Sequence, residues 1–595
     1  MYPVTNEWKA INNNPIRNPS YIKIVFGIQD PDAPFHSTAT DNGHLDFSKV
    51  ADIGTSVSPS VTYQTLERNR FVLDGKAPIP DEENMIYQAF AGWEISVEDR
   101  KWAVNPKVTI SFSDYFQFPG LTFTFDTTNN EYPEKFQLIV KNDDAEVYNK
   151  ILQPESAYFG LEEQIPIGNY MEIIFLESKT PHRRARLLSL VFGLVEQIET
   201  NEIVKCTCTK EVDLMSTKFP KQDFDFTIID TEKRYDPENP KGVWEYLESR
   251  QPVSVLYGFE LSEGNIEWIP LCTSYSSGDF EVNGQDVISE VTIKCVGLIE
   301  HLNQTYDEGV YSPEGKSLFD LAKDVAQFAG FDEAIDLDEE LKNITTHNPL
   351  HNSAVNDCLQ LIANAGRCIM NHTRGGYIEI KRENTNSVDF QMTMQKMLGN
   401  PTTSKIPPLR NLTTEYSLFT VEESVSKAID AVQVDNANGE EYVFTHGAYT
   451  EHSIVVTGTL QVIGEAKFFA YKTIVNLTGS GTITINGKGL RENRMSHTES
   501  YGEVGEDLDS VRNALIDNKA DAVAYNQWIA ACTLRRITYK GDDRGYPELD
   551  VGDHIGMVSN FLNEVDMTLT EQKIEYDGGI TGSFSGIIWN GSDDT

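Results

Sequence analysis

Along most of this chain, hydrophobic and polar residues alternate with a period of two. In the run FDFTIID, Phe224, Phe226 and Ile228 fall on one side and Asp223, Asp225 and Thr227 on the other. That pattern predicts a half-buried β-strand. A turn-rich YDPENPKG follows, then the short amphipathic VWEYLESR and a second strand, PVSVLYGF. Upstream, KVTISFS, LTFTFD, FQLIVKND, YMEIIFLES and RLLSLVFG read as short strands separated by turns, which predicts a sandwich or jelly roll. Downstream, VNGQD and NGKG mark hairpin turns between alternating runs.

The period changes over residues 311–400. Leu318, Leu321, Ala322, Val325, Phe328 and Ala329 recur at three and four, with Ser312 and Pro313 as candidate start and Gly330 as candidate stop. A second helix places Val355, Cys358, Leu359, Ile362 and Ala365 on one face. A third is expected near the C-terminus, capped by Asn518, with Ala520, Val523, Ala524 and Trp528 facing inward. The chain therefore reads as mainly β and multidomain. The predicted units are an N-terminal arm (1–50), a jelly roll (51–200), a β-barrel (201–310), a small α+β insertion (311–400), a β-rich domain (401–510) and a C-terminal helix with strands (511–595).

Composition narrows the function. Against 49 Lys and Arg stand 91 Asp and Glu, a formal net charge of −42. Such a surface repels phosphate backbones, so nucleic acid is excluded as a partner. No run of eighteen apolar residues is present, so no membrane span is expected. The first residues, MYPVTNEWKAINNNP, do not form a secretory signal, so synthesis in a bacterial cytoplasm is expected. The seven cysteines form no disulfide framework. Cys206, Cys208, Cys272 and Cys295 could gather around zinc, but C-x-C on a strand is more often two small core residues; no metal or cofactor is expected.

Several stretches resemble tail-tip and baseplate proteins, hub-like in type, of tailed bacteriophages, prophages and phage-like contractile particles. KFPKQDFDFTIID followed by RYDPENPKGVWEYLESRQPV matches a strand–loop–strand segment of that family, with Arg250 where glycine is commoner. VTIKCVGLIEHL matches a second segment, with Gly297 in place of the usual Asp. The helix and hairpin around CIMNHTRGGYIEIKRE match a third, and GYPELDVGDHIGMV with IEYDGGITG a fourth, in the family's order. The run from GLTFTFD to HRRARLLSLVFG resembles a galactose-binding-like jelly roll, and YQTLERNRFVLDGK resembles the entry to such modules in tail proteins of phages of Gram-positive bacteria. The resemblance implies hub-like β-barrels beside the jelly roll and a structural role linking the tail to host-recognition or penetration parts. It also implies other tail proteins as partners, a homotrimer or multi-copy ring, and a place in the virion or tail-like particle.

Candidate chemistry is sparse. No HExxH, GxSxG, phosphate-binding loop or dinucleotide fingerprint occurs, and an enzyme is not expected. Acid-rich turns such as DTEKRYDPEN lack calcium-loop spacing. The jelly roll offers a carbohydrate-binding alternative, with Tyr115, Phe116 and Phe118 to stack on a sugar and Arg183, Arg184 and Arg186 to fix its hydroxyls. Against it stands the commoner arrangement, in which such aromatics pack beneath a loop and the arginines pair with carboxylates.

Overall fold

The FDFTIID strand lies at the heart of a 13-stranded sheet. The computed structural model describes residues 1–34, 36–40, 46–47, 67–70, 91, 94–127, 129–284, 288–331, 334–508, 512–558 and 565–588. Across the sheet the order is Gly193–Ile198, Ser20–Gln29, Pro252–Glu260, Ile266–Gly284, Ser289–Val296, Lys221–Asp230, Ile203–Glu211, Val565–Tyr576, Ile580–Ile588, Ile537–Asp543 and Thr402–Lys405. His554–Val558 branches from Val565–Tyr576 and carries Ser387–Thr393.

The sheet folds over on itself. Ile266–Gly284 pairs with Pro252–Glu260 along its first half and with Ser289–Val296 along its second. The corner is a bulge between Ser276 and Phe280, where Gly278 takes φ +89°. The two halves then face each other. Ile22, Ile24, Phe26, Val253 and Val255 pack on Cys206, Cys208, Phe224, Phe226, Val291 and Ile293, and Trp8 of the helix Asn6–Asn13 joins them. The two end strands do not pair with each other, so the sheet is open where barrels were expected. The chain is mainly β and multidomain, as its alternation implies.

The N-terminal residues differ from an extended arm. Ser20–Gln29 is an internal strand held between Gly193–Ile198 and Pro252–Glu260. Gln29 lies opposite Gly193, and Asp30 N–H donates to Phe192 C=O at 3.2 Å. Residues 31–192 thus leave and rejoin the sheet at one point. The described residues among them form two layers around an aromatic core of Phe123, Phe125, Phe136 and Phe175. One layer is Ser37–Thr40, Lys107–Phe118, Ile165–Ser178, Pro133–Asn142 and Ala145–Leu152. The other is Asp46–Phe47, Ser189–Val191, Leu121–Thr124 and Tyr158–Leu161.

The helices pack together in a separate core. Leu318–Phe328 is capped by Ser317, whose Oγ accepts from Asp320 N–H at 3.0 Å, so the cap lies five residues after Ser312. Val355–Ala365 buries all five expected residues. Lys519–Leu534 is capped by Asn518 as its sequence implies, but its buried face is Ala522, Tyr525, Asn526, Ile529, Ala530 and Cys532. Ala520 is exposed, and Val523, Ala524 and Trp528 are only half-buried. Polar contacts set that face. Tyr525 OH accepts from Asn364 Nδ2 at 3.0 Å, and Asn526 Nδ2 donates to His497 C=O at 3.3 Å.

Residues 409–500 are dominated by two long paired strands, Leu409–Thr445 and Lys472–Ser500. Their outer parts fold over where Asn436 and Gly479 take positive φ, closing around Val434, Leu460, Val475, Leu477, Ile483 and Ile485. A Cβ at Gly481 would sit 1.8 Å from Thr457 O, so the 457–460 turn requires glycine there.

Candidate functional site

The residues read as a sugar-binding patch fall in two separate places. On the strand Lys107–Phe118 the side chains of Phe112, Phe116 and Phe118 turn inward. Phe118 is 2% exposed and stacks on Phe192 at 5.2 Å and on Phe116 at 6.2 Å. Tyr115 turns the other way and is 46% exposed. Its hydroxyl donates to Asp143 Oδ1 at 2.6 Å, and that bond raises the phenol pKa. The period of two that places Phe118 in the core is thus the reason Tyr115 cannot join it.

The arginines sit beside the opposite end of the same strand, roughly 25 Å away along an extended chain. Arg183 Nε reaches Glu131 at 3.3 Å and its Nη1 donates to Arg68 C=O at 2.7 Å. Arg186 forks onto Glu67, with Nη1 to Oε1 at 2.9 Å and Nη2 on Oε2. Arg184 N–H donates to Glu67 Oε1 at 2.9 Å. Arg70 completes the cluster at 3.2 Å from Asp126. Burial lowers the pKa of both Arg70 and Arg184. The cavity among these groups measures about 20 Å³, room for one water. Glu67 is fully buried at its side chain. No local sequence signal links it to Arg186, because the two lie 119 residues apart.

All seven cysteines are buried and unpaired by disulfides. Cys208, Phe224 and Cys295 stand opposite one another on three adjacent strands. Among the described residues no three His, Cys, Asp or Glu side chains converge on a common point that could hold a metal ion, and no helix is long and apolar enough to cross a membrane.

No family model matches this chain, and no curated protein matches it. Among solved structures it is similar to the tail protein from Neisseria meningitidis MC58, at 10% identity and TM-score 0.39, over 67% of this chain and 94% of that one. The 43 kDa tail protein of prophage MuSo2 from Shewanella oneidensis gives 10% identity and TM-score 0.38, over 66% and 95%. Prophage tail protein gp18 from Listeria monocytogenes EGD-e gives 7% and 0.33, over 67% and 92%. Scores of this size leave function to be read from the chain's own geometry.

That geometry concentrates on framework and surface. Lys210 Nζ binds Asp550 at 3.0 and 3.1 Å, and Arg374 Nε binds the same carboxylate at 2.9 Å. The Arg374 guanidinium also donates to the carbonyls of Pro270, Pro547 and Leu549 at 2.6–2.8 Å. Side-chain exposures of 4% for Lys210 and 10% for Arg374 make this a buried keystone. Burial alone would raise the Asp550 pKa, but the two cations hold it below the usual carboxylate range. On the folded unit within 409–500, Val443 and Ile463 on one layer and Val455 on the other point away from the core, 44–55% exposed.

Proposed function

We propose that this chain is a structural component of the tail tip or baseplate of a phage or phage-like particle, linking the tail to the parts that recognise or penetrate the host. One observation carries the reading: two of the stretches that resemble tail proteins, and the strand that leads into a third, meet at the buried keystone. Lys210 stands just before the first stretch, Arg374 lies in the RGG hairpin and Asp550 in GYPELDVGD. The strand Ile203–Glu211, next to FDFTIID, also pairs with Val565–Tyr576 from the C-terminal stretch. Segments up to 340 residues apart in sequence therefore build one framework. Scattered chance matches have no reason to converge in this way.

Function on this reading is geometry and interfaces. The exposed apolar residues Val443 and Ile463 on one layer of the folded unit, and Val455 on the other, fit contact with neighbouring proteins in the particle. A three-fold ring is the assembly that the resemblance implies. Light scattering of the purified chain over a concentration series tests the ring. A trimer mass is expected at high concentration. Monomer throughout, with monomer contacts in the particle, contradicts it.

A further inference from the structure

Two sheet edges face one groove. Among the described residues the strand Gly193–Ile198 has a single neighbour, Ser20–Gln29. The bond from Asp30 N–H to Phe192 C=O fixes the phase of that pairing. Leu194, Glu196 and Ile198 then spend their backbone groups on the neighbour, and those of Val195 and Gln197 point outward. Across the groove, Tyr158–Leu161 pairs, among the described residues, only with Leu121–Thr124. Phe125 N–H donates to Ala157 C=O at 2.7 Å, so the backbone groups of Tyr158 and Gly160 point outward in turn. Ser156 Oγ donates to the Tyr158 carbonyl. A Cβ built on Gly160 meets nothing within 4 Å. The groove between the edges holds about 360 Å³, within the range of ligand clefts.

Its lining is acidic with apolar footholds. Glu162, Glu196, Glu202, Asp230 and Glu232 stand against Arg234 alone. Arg234 Nη2 lies 2.7 Å from Glu196 Oε1, and Tyr235 OH donates to Glu196 Oε2. Asp230 accepts from Arg234 N–H and Tyr235 N–H at 3.0 and 2.9 Å, and Glu202 accepts from Glu199 N–H at 2.9 Å. Among the described residues Glu162 and Glu232 are exposed and no protein group pairs with them. Tyr158 and Ile229 supply apolar surface, 38% and 36% exposed.

We infer that this groove docks an extended segment of another protein, which pairs with the Gly193–Ile198 edge and carries basic side chains at alternate positions. Strand addition satisfies the outward groups of Val195 and Gln197, while apolar side chains of the segment meet Tyr158 and Ile229 and basic ones meet Glu162 and Glu232. A second copy of this chain is a poor occupant, because its own net charge is −42. A competing role for the same acids is to guard a bare edge against aggregation, and the test separates the two. The docking stands apart from the proposed place in a tail, since it is read on purified protein.

The probe is a short, fluorescently labelled peptide of alternating Lys and Val, titrated into the full-length chain and followed by anisotropy. Its partner is the same peptide with alternate backbone amides N-methylated, which keeps the charge and removes strand donors. Saturable binding is expected, weakened at least about tenfold by methylation. The double variant Glu162→Lys/Glu232→Lys is expected to weaken it comparably. So is Val195→Pro, which removes only an outward N–H and is therefore compatible with the fold. Hydrogen exchange at Val195 and Gln197 should slow on binding. Equal binding of the methylated peptide, binding unchanged in both variants, or no saturable binding overturns the inference and leaves the acids as an edge guard. If Val195→Pro fails to fold, the methylated peptide and the charge reversal still decide.

Discussion

At the scale of single residues, both departures from the tail-protein pattern have local causes. Arg250 holds φ +70°, a left-handed position that glycine takes without strain. The arginine uses its place to reach Asp32 at 2.8 Å. Gly297 has ordinary extended torsions, φ −69° and ψ 158°, so space and not backbone freedom dictates it. A Cβ there would lie 2.5–2.6 Å from the His372 ring, whose Nε2 accepts from Ile299 N–H at 3.2 Å. Replacing Gly297→Asp should therefore cost about 2–4 kcal/mol. Adding His372→Ala should cost less than the sum of the single changes. Additive losses in denaturant titrations would contradict the clash.

His372 also predicts a pH dependence. Burial pushes its pKa down to about 3, against about 6.5 in an unfolded chain. The unfolded chain binds the proton first. The stability held in neutral His372 is complete above about pH 6.5 and is lost as pH falls toward 3. Between pH 7 and 5 the loss is about 2 kcal/mol. Asp543, raised to about 6 by burial, acts in the opposite sense, so the comparison is between variants. His372→Gln should lose about 2 kcal/mol less than wild type over that interval. Equal losses would remove His372 as the cause.

At the scale of elements, the sequence shows a strand or helix clearly where its buried face is apolar. Phe224, Phe226 and Ile228, and the five inward residues of Val355–Ala365, lie where their periods place them. The helix Lys519–Leu534 was misphased because its inner face holds Asn526 and Tyr525, whose partners Asn364 and His497 are distant in sequence. Ser20–Gln29 reads plainly as a strand, but nothing local shows that Gly193–Ile198 is its neighbour. That pairing yields a prediction. Replacing residues 31–191 by an Asn-Gly turn joins Asp30 to Phe192 across an existing antiparallel pair. The remaining sheet, with its own core, should fold and melt cooperatively by circular dichroism. An aggregated or unfolded product would show that the two-layered excursion is needed to hold the sheet together.

At the scale of the whole molecule, the candidate sugar site shows how far sequence reading reaches. The strand itself is legible, but a reading that takes Tyr115 and Phe118 together misses its phase, since Tyr115 is exposed and Phe118 is not. Which carboxylates the arginines meet is not legible, because Glu67 and Glu131 come from distant segments. The same long-range convergence, at Lys210, Arg374 and Asp550, underlies the proposed place in a tail. The most direct measurement is electron microscopy of particles from the source strain, labelled with gold-conjugated antibody against this chain. Intact and partly disrupted particles would both be labelled, so that a buried hub is also reached. Gold at the tail tip or baseplate is the predicted result. Absence of this chain from particles in both states, with the antibody competent on the denatured protein, would contradict it.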